Sequence, residues 1–311
     1  MARHERNDAM EHYKSLVELS NDYLKDLKFL IDLSNQLHWV VEQHDVEVGR
    51  DWTNCIANFS TIQRHYEWLM QELKIRQPLW CDLVKRSLNY ASHHPAHLFI
   101  VTNISALESE SEAFLQLFVA FEMHLEQANQ AKLFQDKCME AEHLISTDNE
   151  HVFSNSNDVQ QNSGENIVKE QIDEFISNHL PVLKEKAMKI KPLVVADSVQ
   201  QPPKSAEAIC SYQTCTKLNS NSIAVRKGTQ LVKNGSYKIT QLNVDGKTTI
   251  WKVVAPGISA AEFSAPAVCF ALAAPSKSCL EQISSLEARL KSRAMLVDSQ
   301  LTASRKSHQP F

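Results

Sequence analysis

The sequence predicts a mainly α protein, with three-helix bundles in tandem and a small all-β barrel inserted in the second bundle. Three observations predict it. Apolar residues recur at helical spacing through most of the 311 residues. Only six glycines occur in so long a chain, and each glycine in a helix interior costs about 1 kcal/mol relative to alanine. From residue 205 to 272 the helical period gives way to short strand-type runs between turn dipeptides, and then the helical stripe resumes. A stripe that stops and later restarts is the mark of an insertion.

The first helix carries Leu16, Tyr23, Leu30 and Leu37 at seven-residue spacing, with Leu19, Leu33 and Val40 three residues after members of that set. That is a bundle-facing stripe. It ends near Trp39, a core anchor, and a polar stretch with Gly49 and Asp51-Trp52-Thr53 follows. A second helix is expected from Ser60, where Gln63 three positions on completes a capping-box pattern. Ile62, Tyr66, Leu69, Leu73, Trp80, Val84 and Leu88 recur along it, and Pro78 should kink or split it. The helix stops at Ser92-His93-His94-Pro95, where proline suits the first turn of the next.

From Pro95 to Ser146 no further proline or glycine occurs. One unbroken helix there would be about 75 Å long at 1.5 Å per residue. Such a helix is too long for one bundle and suits two in succession, which is the reason to expect a rod well over ~100 Å long. Phe114, Leu117, Phe118, Phe121 and Leu125 mark its most apolar face. Residues 147–165 are polar, rich in Asn and Ser, and aperiodic, and read as a flexible loop. A helix from Glu165 to Ile190 follows, with Val168, Ile172, Ile176, Leu180, Leu183 and Ala187 in step and Pro181 interrupting it.

In the β region Asn234-Gly235, Asp245-Gly246 and Pro256-Gly257 are turn signals. Val225, Leu231, Val232, Trp251, Val253 and Val268 supply strand-type apolar residues. After Pro275, Ser278 with Glu281 reads as a second capping box. Ile283, Leu286, Leu290, Ala294, Val297 and Leu301 then resume the stripe. Both ends read as cuts through a longer protein or a shortened product of one.

A formal net charge of −5 makes no electrostatic case for nucleic acid or an anionic membrane. Seven cysteines with no CxxC pair, and an N-terminus without an apolar leader, fit reduced thiols in a cytoplasmic chain. No apolar run approaches the roughly 20 residues that cross a bilayer. His93, His94 and His97 straddle a helix start with no cysteine or carboxylate at ligand spacing, so they read as a solvated cap. Glu108, Glu110 and Glu112 read as a solvated helix face. Cys269 lacks an orienting carboxylate and an oxyanion-type loop, and no Walker or dinucleotide loop occurs. The expectation is no catalytic residue, no metal, no cofactor and no enzyme activity.

Three stretches carry a family resemblance. VEVGRDWTNCIANFSTIQRHYEWLMQELK (46–74) resembles the junction of first and second helices in a spectrin repeat. HLEQANQAKLFQDKCMEAEHL (124–144) resembles an inter-repeat helix, while AICSYQT (208–214), WKVVAPG (251–257) and PAVCF (266–270) resemble an SH3 domain carried inside a repeat. In this order they resemble the plakin and spectraplakin family of cytoskeletal linkers, over residues 10–300.

The resemblance implies a spectrin-type repeat over 1–128 and the first part of a second over 129–192, the flexible loop 147–165 included. It further implies an inserted SH3-like domain over 204–272, the second repeat's final helix over 275–303, and a polar tail over 304–311. It also implies that four groove positions of the SH3 fold, all normally aromatic, fall at Cys210, Tyr212, Ile250 and Cys269, with Pro266 as the groove proline. Trp251 and Phe270 are then structural. Three of four ligand-stacking rings are lost, and the loop 213–222 lacks acidic residues. The expectation is a degenerate SH3 domain that packs against the neighbouring repeat. The alternative is an adaptor module that binds proline-rich partners.

The remaining implications concern partners and place. The chain is expected to scaffold protein partners, namely the tails of junctional membrane proteins and, through the full-length family member, cytoskeletal components. Neither nucleic acid nor membrane insertion is expected. The place implied is the cytoplasm, at the cytoskeleton and the cytoplasmic face of cell junctions.

Overall fold

A computed structural model describes all residues except 1, 51, 53–54, 91–93, 147–157, 192–204, 214–229, 242–249, 256–261, 273–274 and 308–311. Among the described residues six α-helices run in the order α1 (Ala2–Val48), α2 (Phe59–Ser87), α3 (His97–Ser146), α4 (Asp158–Glu174), α5 (Leu180–Lys189) and α6 (Lys277–Ser307). Between α5 and α6 the described residues form seven short strands: β1 (Ser205–Ala208), β2 (Tyr212–Gln213), β3 (Gln230–Leu231), β4 (Ser236–Gln241), β5 (Ile250–Val254), β6 (Glu262–Pro266) and β7 (Phe270–Leu272). The fold is mainly α, spectrin-type bundles with a small antiparallel SH3-like barrel set into the second.

The expected third helix is one unbroken run of 50 residues. Its apolar face serves two cores in turn. Ile100, Leu107, Phe114, Leu117 and Phe121 join α1 and α2 in a first core with Phe29, Leu33, Val40, Leu69, Leu73 and Trp80. Ala131, Phe134, Cys138 and Ala141 join Ile172, Phe175, Leu183, Ala187, Ile283, Leu286 and Leu290 in a second. Both patterns follow from residues three or four apart stacking on one helix face.

Several local expectations need correction. The first-helix stripe is covered only from Phe29 onward; Leu16, Leu19 and Tyr23 are exposed. Ser60 lies inside α2, which begins at Phe59 after an Asn58 that makes no side-chain cap. Pro78 does not split α2. Both Pro78 and Lys74, whose carbonyl loses its helical donor, are exposed, so water can satisfy that carbonyl. Helix α4 starts at Asp158, within the stretch read as loop; the rest of that stretch, 147–157, lies outside the described residues. Glu110 is buried rather than solvated.

Pro181 is accommodated rather than disruptive. A π-turn over Phe175–His179 widens the helix just before it, and the Leu180 amide donates to Phe175 O. The wider turn makes room where the proline ring would crowd the preceding carbonyls. At α6 the amide of Cys279 reaches Ser276 Oγ at 3.5 Å, so the cap is Ser276, not Ser278. The amide of Ser276 donates to the carbonyl of Ile190 at 2.9 Å. The chain therefore leaves the second bundle at the end of α5 and re-enters it one hydrogen bond away.

The main sheet has the order β6-β5-β4-β1-β7, all neighbours antiparallel, and β2 pairs separately with β3. Strand β5 alternates, burying Trp251 and Val253. Trp251 stacks on Phe270 with centroids 5.6 Å apart, and Tyr237 meets Phe270 edge-on at 5.8 Å. These rings are the barrel's core. In the turn before β4 the Gly235 amide donates to Val232 O at 2.9 Å and Asn234 takes φ 65°, the left-handed third position that a type II turn reserves for Gly or Asn. Asp245-Gly246 and Pro256-Gly257 lie outside the described residues.

Candidate functional site: the seat of the barrel

The buried residues of the barrel form one continuous apolar cluster with those of the first bundle, although the chain inserts the barrel into the second. The join is made by the last turns of α1, the segment before α2 and the middle of α3. On the barrel side it is made by β2 and a 3-10 turn at Ala267–Cys269.

Two buried histidines lie at this join. His124 Nε2 donates to the carbonyl of Val268 at 2.8 Å. Trp52 leans over His124 at 5.1 Å and over Phe121 at 5.5 Å. Burial holds the His124 ring neutral and lowers its pKa to about 4, with the Val268 bond pulling the other way. The second, His44, shares a hydrogen bond with the Tyr212 hydroxyl at 2.9 Å; the two rings lie 5.9 Å apart and within 2° of parallel.

A charged group backs this face. Glu47, 2% exposed, takes Arg50 on both oxygens at 2.5 and 2.6 Å and His65 at 3.0 Å. Burial pushes the Glu47 carboxyl up, but the hydrogen bonds from Arg50 and His65 outweigh it and hold the pKa below the ordinary value. The Arg50 guanidinium also sits 4.7 Å over the Phe121 ring. An otherwise costly buried charge is thus satisfied and fixes the chain leading to Trp52.

The groove positions named from sequence fall as follows. Cys210, Tyr212, Pro266 and Cys269 are buried and Ile250 is half-buried. Ile250 and Pro266 are register partners across β5 and β6, and the Ile209 amide donates to Cys269 O at 2.9 Å. Trp251 and Phe270 are in the barrel core. The loop 213–222 is described only at Gln213.

Other sequence candidates stay apart from the seat. His94 Nε2 lies 3.1 Å from Asp26 Oδ2 and His97 Nδ1 lies 3.3 Å from Tyr90 O, while His93 is outside the described residues. Among the described residues no group of three His, Cys, Asp or Glu could hold a metal, and no helix is long and apolar enough to cross a membrane.

Sequence reasoning singled out none of Glu47, His44 or His124 as members of a site. For His124 a signal existed: it falls on the apolar register Leu117, Phe121, His124, Ala128, where a polar residue calls for a buried partner.

No family model matches the chain. It is 24% identical over 293 residues to human microtubule-actin cross-linking factor 1, a match covering 88% of this chain and 4% of that protein. The crystal structure of a rigid four-spectrin-repeat fragment of the human desmoplakin plakin domain superposes with a TM-score of 0.64 at 19% identity. That superposition covers 90% of this chain and 61% of the fragment. The sequence match agrees with the resemblance to the plakin and spectraplakin family, and the superposition shows the fold of that spectrin-repeat fragment.

Proposed function

We propose that this plakin-type segment is a non-enzymatic structural piece of a cytoskeletal linker, in which the barrel braces the rod instead of capturing peptides. The observation that carries this reading is the state of Tyr212. The one groove position that keeps its aromatic ring is 3% exposed and hydrogen-bonded to His44 of α1. Cys210, Pro266 and Cys269 are buried with it. A polyproline ligand needs exposed rings to stack on, and each lost aromatic contact removes on the order of 1 kcal/mol.

The repeat division 1–128, 129–192, 204–272 and 275–303 belongs to this proposal. It is supported by the change of core along α3, between Ala128 and Ala131. The polar tail is 304–311. The names of the similar proteins, a microtubule-actin cross-linker and a desmoplakin plakin domain, support work at the cytoskeleton. On this reading the segment helps join filaments to junctional membrane complexes in the cytoplasm. Its partners are the tails of junctional proteins, with cytoskeletal contacts made through the longer protein.

Titrating a labelled proline-rich peptide library against the whole chain tests the reading. The expected result is no saturable binding. Specific binding in the low micromolar range, about −8 kcal/mol, would overturn it in favour of the adaptor reading.

A further inference from the structure

The arm formed by residues 9–28 of α1 carries more apolar surface than the chain itself covers. Every position in it except Asp26 is exposed, and the first core begins only at Phe29. Eight large apolar side chains of this arm stand 40–69% exposed. Five of them, Met10, Tyr13, Val17, Leu24 and Leu27, fall with Ser20 on alternating steps of three and four residues. That is the spacing of a coiled-coil seam. Leu16 and Tyr23 widen the seam on one flank. Glu11, Lys14, Glu18 and Lys25 take the opposite side of the helix, where Lys25 pairs with Asp22 at 3.1 Å.

We propose that this arm is a self-association surface, and that its occupant is the arm of a second copy of the chain, laid antiparallel across a two-fold axis. Size is the first argument. Each half-exposed side chain leaves on the order of 100 Å² in water, so the arm presents on the order of 800 Å². A monomer rarely tolerates a contiguous apolar patch above a few hundred Å². About 800 Å² per partner is what a specific interface of standard size buries.

The seam also closes on itself, as an interface between identical surfaces must. With the axis between Glu18 and Leu19, Met10 faces Leu27 of the second copy, Tyr13 faces Leu24, and Val17 faces Ser20. The small pair sits at the centre and the long side chains at the two ends, with no charged residue in the seam. The arm is about 30 Å long, so its tip reaches the level where the second copy's first bundle begins. That end of the bundle is apolar as well. Tyr90 and His94 both bond to Asp26, which fixes the turn between α2 and α3 beside the base of the arm. Leu88 and Leu98, at 82% and 78%, are among the most exposed large apolar residues described, and Phe99 is half exposed beside them. An antiparallel pairing sets each bundle beyond the tip of the other arm, so the two bundles need not fit side by side.

Sedimentation velocity of the full chain over a wide range of concentrations tests the proposal. The expected result is a reversible monomer–dimer equilibrium with a Kd in the micromolar range or tighter. Leu24→Lys should weaken it at least tenfold. Leu24 is 60% exposed in the single chain, so the urea midpoint read by tryptophan fluorescence in the bundle should not move. Orientation is read by mixing two variants in a Cys81→Ser background, which removes an exposed thiol. Mild oxidation should link a Met10→Cys copy to a Leu27→Cys copy and should not link two Met10→Cys copies. A chain that stays monomeric at every concentration would overturn the proposal. So would a dimer that Leu24→Lys leaves intact, or one in which two Met10→Cys copies link to each other.

Discussion

Tyr212 of the barrel lies parallel to His44 of α1, its hydroxyl 2.9 Å from the histidine Nε2. The contact joins residues 168 positions apart in sequence. Replacing Tyr212 by Phe keeps the ring and removes the hydrogen bond. The expected loss is about 1 kcal/mol in urea unfolding. A double-mutant cycle with His44→Ala should show the two changes to be non-additive by a similar amount, about 1 kcal/mol. Additive effects would mean that this bond carries no energy of its own.

His124 makes stability depend on pH with a definite sign. Its folded pKa is lowered to about 4, below the ordinary value of 6.5. The unfolded state therefore binds the proton first. Stability is full above pH 6.5 and declines as pH falls toward 4, the loss reaching about 3 kcal/mol at full protonation. Urea midpoints from pH 7.5 to 4.5 should fall, and His124→Gln, which can still donate to Val268 O, should flatten that fall. An equal slope in the variant would place the effect elsewhere.

Glu47→Gln leaves Arg50 and His65 facing a neutral amide in a buried setting. Breaking such a pair from one side costs about 3 kcal/mol. The Glu47 pKa is lowered, so its contribution exists above the ordinary 4.5 and is lost as pH drops below it. Chemical denaturation at neutral pH should show the loss in the variant, and tryptophan fluorescence should report loosening around Trp52.

Gly235→Ala should destabilise the barrel. A Cβ there would lie 2.8 Å from Val232 O and 2.9 Å from the Tyr237 ring. The clash falls on the carbonyl and ring that hold the β3–β4 turn, where Val232 N donates to Tyr237 Oη at 2.9 Å. A loss of roughly 1–3 kcal/mol is expected. Asn234→Gly, at a φ of 65°, should cost almost nothing by comparison.

Small-angle scattering should report an elongated particle. Helix α3 alone spans about 75 Å, and the largely exposed turns of α1 from residue 9 to 28 add about 30 Å beyond the bundle. A maximum dimension over ~100 Å is expected. A compact profile would contradict the rod.

The helices were readable because a period of three to four residues survives substitution. Phe114, Leu117 and Phe121 mark their face in any order of tertiary contacts. The barrel core was readable at Trp251 and Phe270 for the same reason, large rings flanked by turn dipeptides. The seat was not. His44, Glu47 and Trp52 lie close together in sequence, but His124 and the barrel residues Tyr212 and Val268 come from distant stretches, and only packing makes them neighbours. Caps fared poorly as well. Ser60 and Ser278 fit the capping-box pattern, yet Asn58 and Ser276 stand at the helix starts. The pattern constrains spacing but not which hydroxyl meets the first free amide.

The hydrogen bond from Ser276 to Ile190 has a consequence for how such a chain could be assembled. A module whose entry and exit points touch is a side chamber opening off the second bundle. Excising it and bridging the gap with a short turn would restore an ordinary helical hairpin. The same doorway would accept another small domain with close-set termini. What an unrelated guest could not reproduce is the paired recognition of His44 and His124 on a different bundle, so a grafted domain would hang loose where this one is held.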